Sequence, residues 1–372
     1  MKIAVDLRGL LSGQLTGVGE YAFNLLKAML EIDPVNHYLI FSSSLKKAAL
    51  PAEFSNNPRV EHCHFYCPSK LFNFSLKFFN RPRLNRLTGP VEVWWFPNLN
   101  FWSLDFGCPV VMTVHDLSFA KLPWAYSAKR QLWHQAINPA KKLRQASAIA
   151  AVSQHTKNDL VQTYGLAPVM IEVVYPALPE FNSIDAADVE QDLVLPDKYV
   201  LFLGTLEPRK NIESIIRAFA ELALPGYSLI IAGGHGWLYQ KIYHLAAELK
   251  LNNKVKFLGY VTATQKRTLL KKAGLLIWPS FYEGFGLPPM EAMAAGVPVI
   301  SSANSSLPEV AGDAALLVDP YNIQELKQAI SGVLTDDGLR QSLINKGYEQ
   351  IKKFNWHDSA KKMLKIFESI SK

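Results

Sequence analysis

Glu283 and Glu291 are two carboxylates separated by seven residues, and they frame Gly284-Phe285-Gly286-Leu287 and the pair Pro288-Pro289. The apolar run Leu275-Leu276-Ile277-Trp278 precedes them and Gly296-Val297-Pro298-Val299-Ile300 follows. That order reads as strand, glycine loop, helix, glycine stop and strand, a parallel-sheet unit with its loop at the carboxyl end of a strand. The loop and first helical turn would offer unpaired N–H groups and the positive end of a helix dipole, which suits a phosphate. Carboxylates aimed at that phosphate would repel it. They are therefore assigned to hydroxyls beside it, as on a sugar and a ribose. A plainer reading, one solvated loop acid and one acid favouring a helix start, stays open on these residues alone.

Three further stretches carry chemistry. Gly204-Thr205-Leu206-Glu207-Pro208-Arg209-Lys210-Asn211 follows a strand and precedes a helix. Arg offers a planar fork and Lys a mobile point charge, a pair suited to a departing diphosphate; two ordinary loop cations are the alternative. Thr113-Val114-His115-Asp116 ends another strand. There His115 could meet a substrate hydroxyl or developing charge, and Asp116 could orient it or only cap the next segment. Thr16-Gly17-Val18-Gly19-Glu20-Tyr21-Ala22 opens a helix and fits the dinucleotide pattern Gly-x-Gly-x-x-Ala, which raises a nicotinamide enzyme as a rival. About ten residues separate the glycines from the preceding strand, where that pattern needs a tight turn. The second strand also ends in Ser42-Ser43-Ser44, with no acid for an adenosine ribose. The glycines read better as a lip that lets a ligand approach the backbone.

Other signatures are missing from the sequence. There is no Asp-x-Asp pair for a metal-bound sugar nucleotide, no Walker loop, no Gly-x-Ser-x-Gly and no His-Glu-x-x-His. His62, Cys63, His64 and Cys67 invite a metal, but strand alternation splits the histidines from the cysteines. No metal is expected, and charge at a diphosphate would fall to Arg209, Lys210 and helix N-termini.

The elements that must hold these residues alternate along 372 residues, long enough for two domains. Strands are predicted near 2–6, 37–42, 59–65, 92–96, 109–114, 147–152 and 170–174, then near 199–203, 227–232, 254–258, 274–278, 297–301 and 314–318. Helical patterns cover 17–31, 125–145 and 155–164, with Ser153 or Thr156 as a cap, and later 322–334, 338–352 and 356–370. This is an α/β chain of two doubly wound Rossmann-like domains, 1–178 and 198–355, with a linker at 179–197. A ligand is expected in the cleft between their strand ends.

With 49% hydrophobic and 19% charged residues the chain is globular. No apolar run is long enough to span a bilayer. The start Met1-Lys2-Ile3-Ala4-Val5-Asp6 reads as a strand and not as a signal peptide. Three cysteines fit a reducing cytoplasm. The net charge of +7 lies entirely in residues 1–178, with 18 basic and 11 acidic residues, while the remainder holds 21 of each. Residues 70–86 carry Lys70, Lys77, Arg81, Arg83 and Arg86 among Phe72, Phe74, Phe78 and Phe79. Residues 121–144 carry Lys121, Lys129, Arg130, Lys141, Lys142 and Arg144 near Trp124 and Trp133. Such mixtures suit an anionic membrane surface or a lipid diphosphate, with solvated basic faces as the alternative. Nucleic acid is set aside for want of a recognition motif.

Together these motifs resemble the retaining glycosyltransferases of sequence family four, which have the GT-B fold. The likeness runs through the loop at 16–19, Thr113-Val114-His115-Asp116, Ala151-Val152-Ser153, residues 204–211 and residues 283–291. It ends with Phe354-Asn355-Trp356, where that fold crosses back so that 356–372 completes the first, acceptor-side domain. The resemblance implies that Glu283 meets donor-sugar hydroxyls and Glu291 the nucleotide ribose. Arg209 and Lys210 would grip the diphosphate, with Gly204, Thr205, Gly17, Val18, Gly19 and the backbone of Gly284, Phe285, Gly286 and Leu287 around the donor. His115 would touch the sugar near the reacting carbon. Many relatives have Arg directly after the glycine matching Gly204, whereas this chain has Thr205. Val5-Asp6-Leu7-Arg8 and the two glycine-containing loops look most like the mannosyltransferase branch. That branch implies GDP-mannose, a lipid-linked or polyprenyl-diphosphate-linked glycan acceptor, and work on the inner face of the cytoplasmic membrane. A UDP- or dTDP-sugar donor and a non-catalytic sugar-nucleotide-binding protein remain alternatives.

Overall fold

A computed structural model describes residues 1–8, 10–11, 17–47, 49–179, 193–222, 224–251 and 253–371. Thr16 of the glycine loop and most of the linker, 180–192, lie outside the described residues. The chain forms two compact units. One comprises Met1–Leu117, Lys129–Ala177 and Asn355–Lys372, and the other Ser118–Ala128 and Leu178–Phe354.

The strands of the first unit are β1 (Lys2–Asp6), β2 (His37–Ser43), β3 (Val60–Phe65), β4 (Val93–Phe96), β5 (Val110–Val114), β6 (Ala148–Ala151) and β7 (Ile171–Val173). They make one parallel sheet in the order β3-β2-β1-β4-β5-β6-β7. The second unit has β8 (Lys198–Leu203), β9 (Tyr227–Ala232), β10 (Val255–Gly259), β11 (Leu275–Trp278), β12 (Val299–Ser302) and β13 (Ala315–Val318). Its parallel order is β10-β9-β8-β11-β12-β13. Both sheets are doubly wound α/β, and each reverses its winding once, between β1 and β4 and between β8 and β11.

The apolar runs become strands because helices cover both faces of the sheet. In β8, Val200 and Phe202 pack into one buried cluster, while Tyr199, Leu201 and Leu203 pack into the other. The glycines at the strand ends let neighbouring loops touch. Gly233 has φ +150°, and a Cβ there would stand 2.0 Å from the Gly204 carbonyl oxygen.

Three expectations are revised. The helical pattern at 125–145 is two helices, Ala128–Ile137 and Pro139–Gln145, broken at Asn138 with φ 52°. The residue before a proline is disfavoured in the α region, and Asn tolerates the left-handed one. Residues 69–78, to which the sequence assigned no element, form a helix directly after Pro68. Ser118–Ala128, placed with the first domain by sequence, packs in the second unit. There the Trp237 indole N–H donates to the Ala125 carbonyl, and Tyr126 stacks on Trp237 at 5.2 Å between ring centres.

The last helix, Trp356–Ile370, is capped by Asn355 and belongs to the first unit. Its Ser359 hydroxyl donates to Tyr175 O at 2.6 Å, and Trp356 meets the Tyr21 ring of the helix Gly17–Ile32 edge-on at 5.7 Å.

The close approach of Gly233 to Gly204 is testable against a built-in control. Gly233→Ala is expected to cost about 3 kcal/mol or more of stability by forcing two backbones apart. Gly234→Ala, with nothing within 4 Å of the added methyl, is expected to change it by less than about 1 kcal/mol, as read by urea denaturation.

Candidate functional site

The loops that follow β8 and β11 meet where the second sheet reverses its winding. After β8 the chain makes a short 3-10 turn, Pro208–Lys210, and then Asn211 enters the left-handed region at φ 57°. The Asn211 amide donates to Pro279 O at 3.1 Å and to Pro320 O at 2.7 Å. Phe281 N–H donates to Arg209 O at 2.9 Å. The turn bearing the two cations is thereby tied to the loop bearing Glu283.

Glu283 is buried in that loop among three donors. Its Oε2 accepts from Arg209 Nη1 at 2.7 Å, and its Oε1 accepts from Lys210 Nζ at 2.5 Å and Ser280 Oγ at 2.8 Å. Arg209 Nε also pairs with Glu207 Oε1 at 2.6 Å. Lys210 is buried, with its ammonium 4.5 Å above the Trp278 ring. Burial alone would raise the Glu283 carboxyl. The charges of Arg209 and Lys210, with hydrogen bonds from Lys210 and Ser280, outweigh it and hold the pKa at about 2. Burial and the Arg209 charge pull the Lys210 ammonium below its ordinary value, against the pull of Glu283 and Glu207. Two acids and two bases leave the cluster without net charge. Sequence reasoning set the cations at a diphosphate and Glu283 at a sugar as separate contacts. The structure joins them in one hydrogen-bonded group.

The loop continues as Gly284, Phe285 and Gly286 into the helix Leu287–Ala294. Phe285 turns its ring inward, edge-on to Phe354 at 5.3 Å, so only its backbone is presented. Ser306 Oγ donates to the carbonyls of Glu283 and Phe285, both at 2.9 Å, and Glu283 N–H donates to Ser305 Oγ at 2.9 Å. Gly286, at φ +112°, caps the helix without a side chain, and a Cβ there would stand 2.7 Å from Leu307 Cδ2.

The amide seat expected from sequence is smaller than it looked. Pro288 and Pro289 have no N–H, so two of the four unpaired donors at this helix start do not exist. Glu291 is in the second turn of the helix and not the first. It is buried, and its Oε1 accepts from Lys266 Nζ at 2.5 Å. Thr205 is exposed beside Gly204, and Gly204 has no room for a side chain because a Cβ would come 2.7 Å from the Trp278 ring.

His115, Gly17, Val18 and Gly19 belong to the first unit. His115 follows β5, and its Nε2 lies 2.7 Å from Pro97 O. A carbonyl only accepts, so Nε2 carries the proton and Nδ1 is the acceptor nitrogen of the neutral ring. Burial lowers the His115 pKa against the raising effects of Pro97 O and Asp116, which keeps that neutral form at pH 7. The Tyr21 ring fixes the imidazole edge-on at 5.0 Å. Ten residues separate Gly17, which begins its helix, from Asp6 at the end of β1, too many for a dinucleotide turn. His62 and His64 both reach Ser42 Oγ at 2.8 Å. Among the described residues no group of three or more His, Cys, Asp or Glu is placed to hold a metal ion.

Sequence reasoning overlooked the support of this site. Ser280, Ser305, Ser306 and the Glu207 carboxylate hold the loops, and no pattern short of the fold announces them. In the first unit it overlooked the role of Arg8, which is buried against Asp6 through two 2.7 Å hydrogen bonds and leaves its Nη1 without a partner among the described residues.

Comparison with known proteins places this chain of two parallel Rossmann-like units in a sugar-transferring class of enzyme. Residues 15–179 match the model of glycosyltransferase family 4 and residues 184–350 that of glycosyl transferases group 1. The chain belongs to these glycosyltransferases and has the GT-B fold, which sets aside the nicotinamide reading. Among similar proteins, O-antigen chain mannosyltransferase B of Escherichia coli is 28% identical over 95% of this chain and 96% of that protein. O-antigen chain mannosyltransferase RfbU of Salmonella typhimurium is 31% identical over 60% of each. In fold, the chain is similar to a sucrose-phosphate synthase from Thermosynechococcus elongatus, with TM-score 0.75 and 20% identity over 99% and 98% of the two chains. The lipopolysaccharide glycosyltransferase WaaG has TM-score 0.70 and 16% identity over 98% and 99%.

The Glu283 pairing carries a sign that stability measurements can read. Its pKa falls from an ordinary 4.5 to about 2 on folding. Its contribution is therefore complete above pH 4.5 and lost as pH falls from there towards 2. Wild type should lose on the order of 3 kcal/mol more than Glu283→Gln between pH 6 and pH 2. Parallel urea-denaturation profiles of the two proteins would remove this assignment.

Proposed function

We propose that this chain transfers mannose from GDP-mannose, with retention and without a metal ion, to a glycan on a lipid-linked acceptor of surface polysaccharide synthesis. The observation that carries the reaction is the buried Glu283–Arg209–Lys210 group at a strand-end switch point. The choice of mannose rests on the relatives, whose names are those of O-antigen mannosyltransferases.

In this reading Glu283 holds both cations in place before the donor arrives. The diphosphate takes over part of their hydrogen bonding, with the Leu287 amide beside it, and the freed carboxylate oxygens accept from the sugar hydroxyls. Glu291 keeps Oε2 for the ribose while Lys266 occupies Oε1. In the first unit, neutral His115 offers Nδ1 as acceptor to a sugar hydroxyl, and Gly17, Val18 and Gly19 offer their backbone to a ligand. The bond from the sugar carbon to the phosphate oxygen breaks, and the acceptor oxygen bonds that carbon on the same face. The acceptor proton passes to the leaving phosphate oxygen. Arg209 and Lys210 stabilise the charge that develops there, so no metal is called for and transfer should survive EDTA.

Membrane contact is assigned to the helix Ser69–Phe78 and the residues after it. Leu71, Phe74, Phe78 and Phe79 are more than half exposed there, beside exposed Lys70, Lys77 and Arg81. No helix among the described residues is long and apolar enough to cross a membrane. The second stretch, 121–144, is divided between the units, its first part in Ser118–Ala128 of the second and the rest in Lys129–Ala177 of the first.

Three measurements test this. GDP-mannose should raise the melting temperature more than UDP-glucose or dTDP-glucose, and Lys210→Ala should lower transfer by about 100-fold or more with the fold intact. Equal protection by all three nucleotide sugars would remove the GDP assignment, and undiminished transfer would remove the role of Lys210. Binding to phosphatidylglycerol vesicles should weaken with added salt and fall in the Phe78→Ser/Phe79→Ser variant; unaltered sedimentation of that variant would reject this surface.

A further inference from the structure

The first unit holds a cavity of about 430 Å³ bounded by Lys77, Arg83, Lys141, Lys142, Trp102 and Asn138 among others, with no acid in its wall. That volume lies in the range of small-ligand sites, ~300–1,000 Å³. Like charges gathered around one hollow repel, so such a set is stable with an anion between its members.

The individual groups agree. Lys142 Nζ donates to Trp102 O at 2.7 Å and lies 4.3 Å above the Trp102 ring. Burial and the charges of Lys141, Arg8 and Arg83 push its pKa down to about 8, and every one of these influences disfavours the ammonium. Arg83 is held by Ser103 Oγ at 3.1 Å and Leu104 O at 2.7 Å. The nearest acid to it, Asp105, stands 3.7 Å from its Nε and is shared with Arg86 at 3.1 Å. An oxygen-rich anion in the cavity would meet the surplus positive charge of its wall.

The lining also says what the anion is attached to. Leu76 and Lys77 in the wall come from the helix Ser69–Phe78, whose exposed apolar side chains are Leu71, Phe74 and Phe78. A charged head in the cavity would therefore continue onto an apolar, aromatic surface. We propose that this cavity binds the diphosphate of the lipid-linked acceptor, with the lipid running over the phenylalanines. The choice of an acceptor rests on the function proposed above; the phosphoryl chemistry of the site does not.

Neutral phosphatidylcholine vesicles doped with polyprenyl diphosphate, with polyprenol, or with phosphatidylglycerol separate the possible ligands. Wild type should bind the diphosphate vesicles about tenfold or more tightly than either of the others, and free pyrophosphate should compete. Lys141→Gln/Lys142→Gln should lose that preference while GDP still raises its melting temperature, which shows an intact second unit. A double variant that keeps the preference, or phosphatidylglycerol vesicles bound as tightly as diphosphate vesicles, would overturn the proposal. Pyrophosphate binding with no sugar transfer to any acceptor would overturn the proposed function and leave the phosphoryl site standing.

Discussion

A buried carboxylate costs several kcal/mol unless charge and hydrogen bonds repay it, and Glu283 is buried among Arg209, Lys210 and Ser280. Much of the second unit follows from that requirement. The cations stand after β8 and the acid after β11, so these strands must be neighbours, which the reversal in winding order provides. The turn must hold its register to within a hydrogen bond. Asn211, bonded to two carbonyls from two other loops, holds it there. Glycine at 204 and 233 lets the backbones approach as closely as this needs.

The two units handle charge in opposite ways. In the second, acids and bases are matched one to one around Glu283, and the group carries no net charge. In the first, a surplus of cations faces a cavity with no acid in its wall. A matched cluster gives rigid geometry and a fixed proton inventory. An unmatched one gives attraction for anions, at the expense of mutual repulsion and of a Lys142 pKa near 8. The charge asymmetry in the sequence thus appears as a group matched by internal pairing around Glu283 and a first-unit cavity lined by bases without an acid.

Most of the architecture was legible in the residues. Continuous apolar runs between glycines specify buried parallel strands, and all thirteen expected strands form within a residue or two of their predicted bounds. The helix break at Asn138 was missed because the periodicity of 125–145 is helical throughout, and only the conformational restriction before Pro139 decides it. The helix Ser69–Phe78 was missed because its outward aromatics obscure the amphipathic pattern. The Glu283–Arg209–Lys210 motifs were each visible, but seventy-odd residues of chain lie between acid and cations, and nothing local says that they touch.

Local order therefore determined which residues are candidates for chemistry: a glycine loop between two acids, a turn with two cations, a histidine at a strand end. These signals are short-range, since turn geometry, helix starts and strand faces depend on neighbours in sequence. Tertiary structure alone decided the pairing of Glu283 with both cations, the capture of Glu291 by Lys266, and the inward turn of Phe285. It alone gathered Lys77, Arg83, Lys141 and Lys142 around one hollow. Charge interactions act through space and depend on burial, and both are set only when distant segments pack.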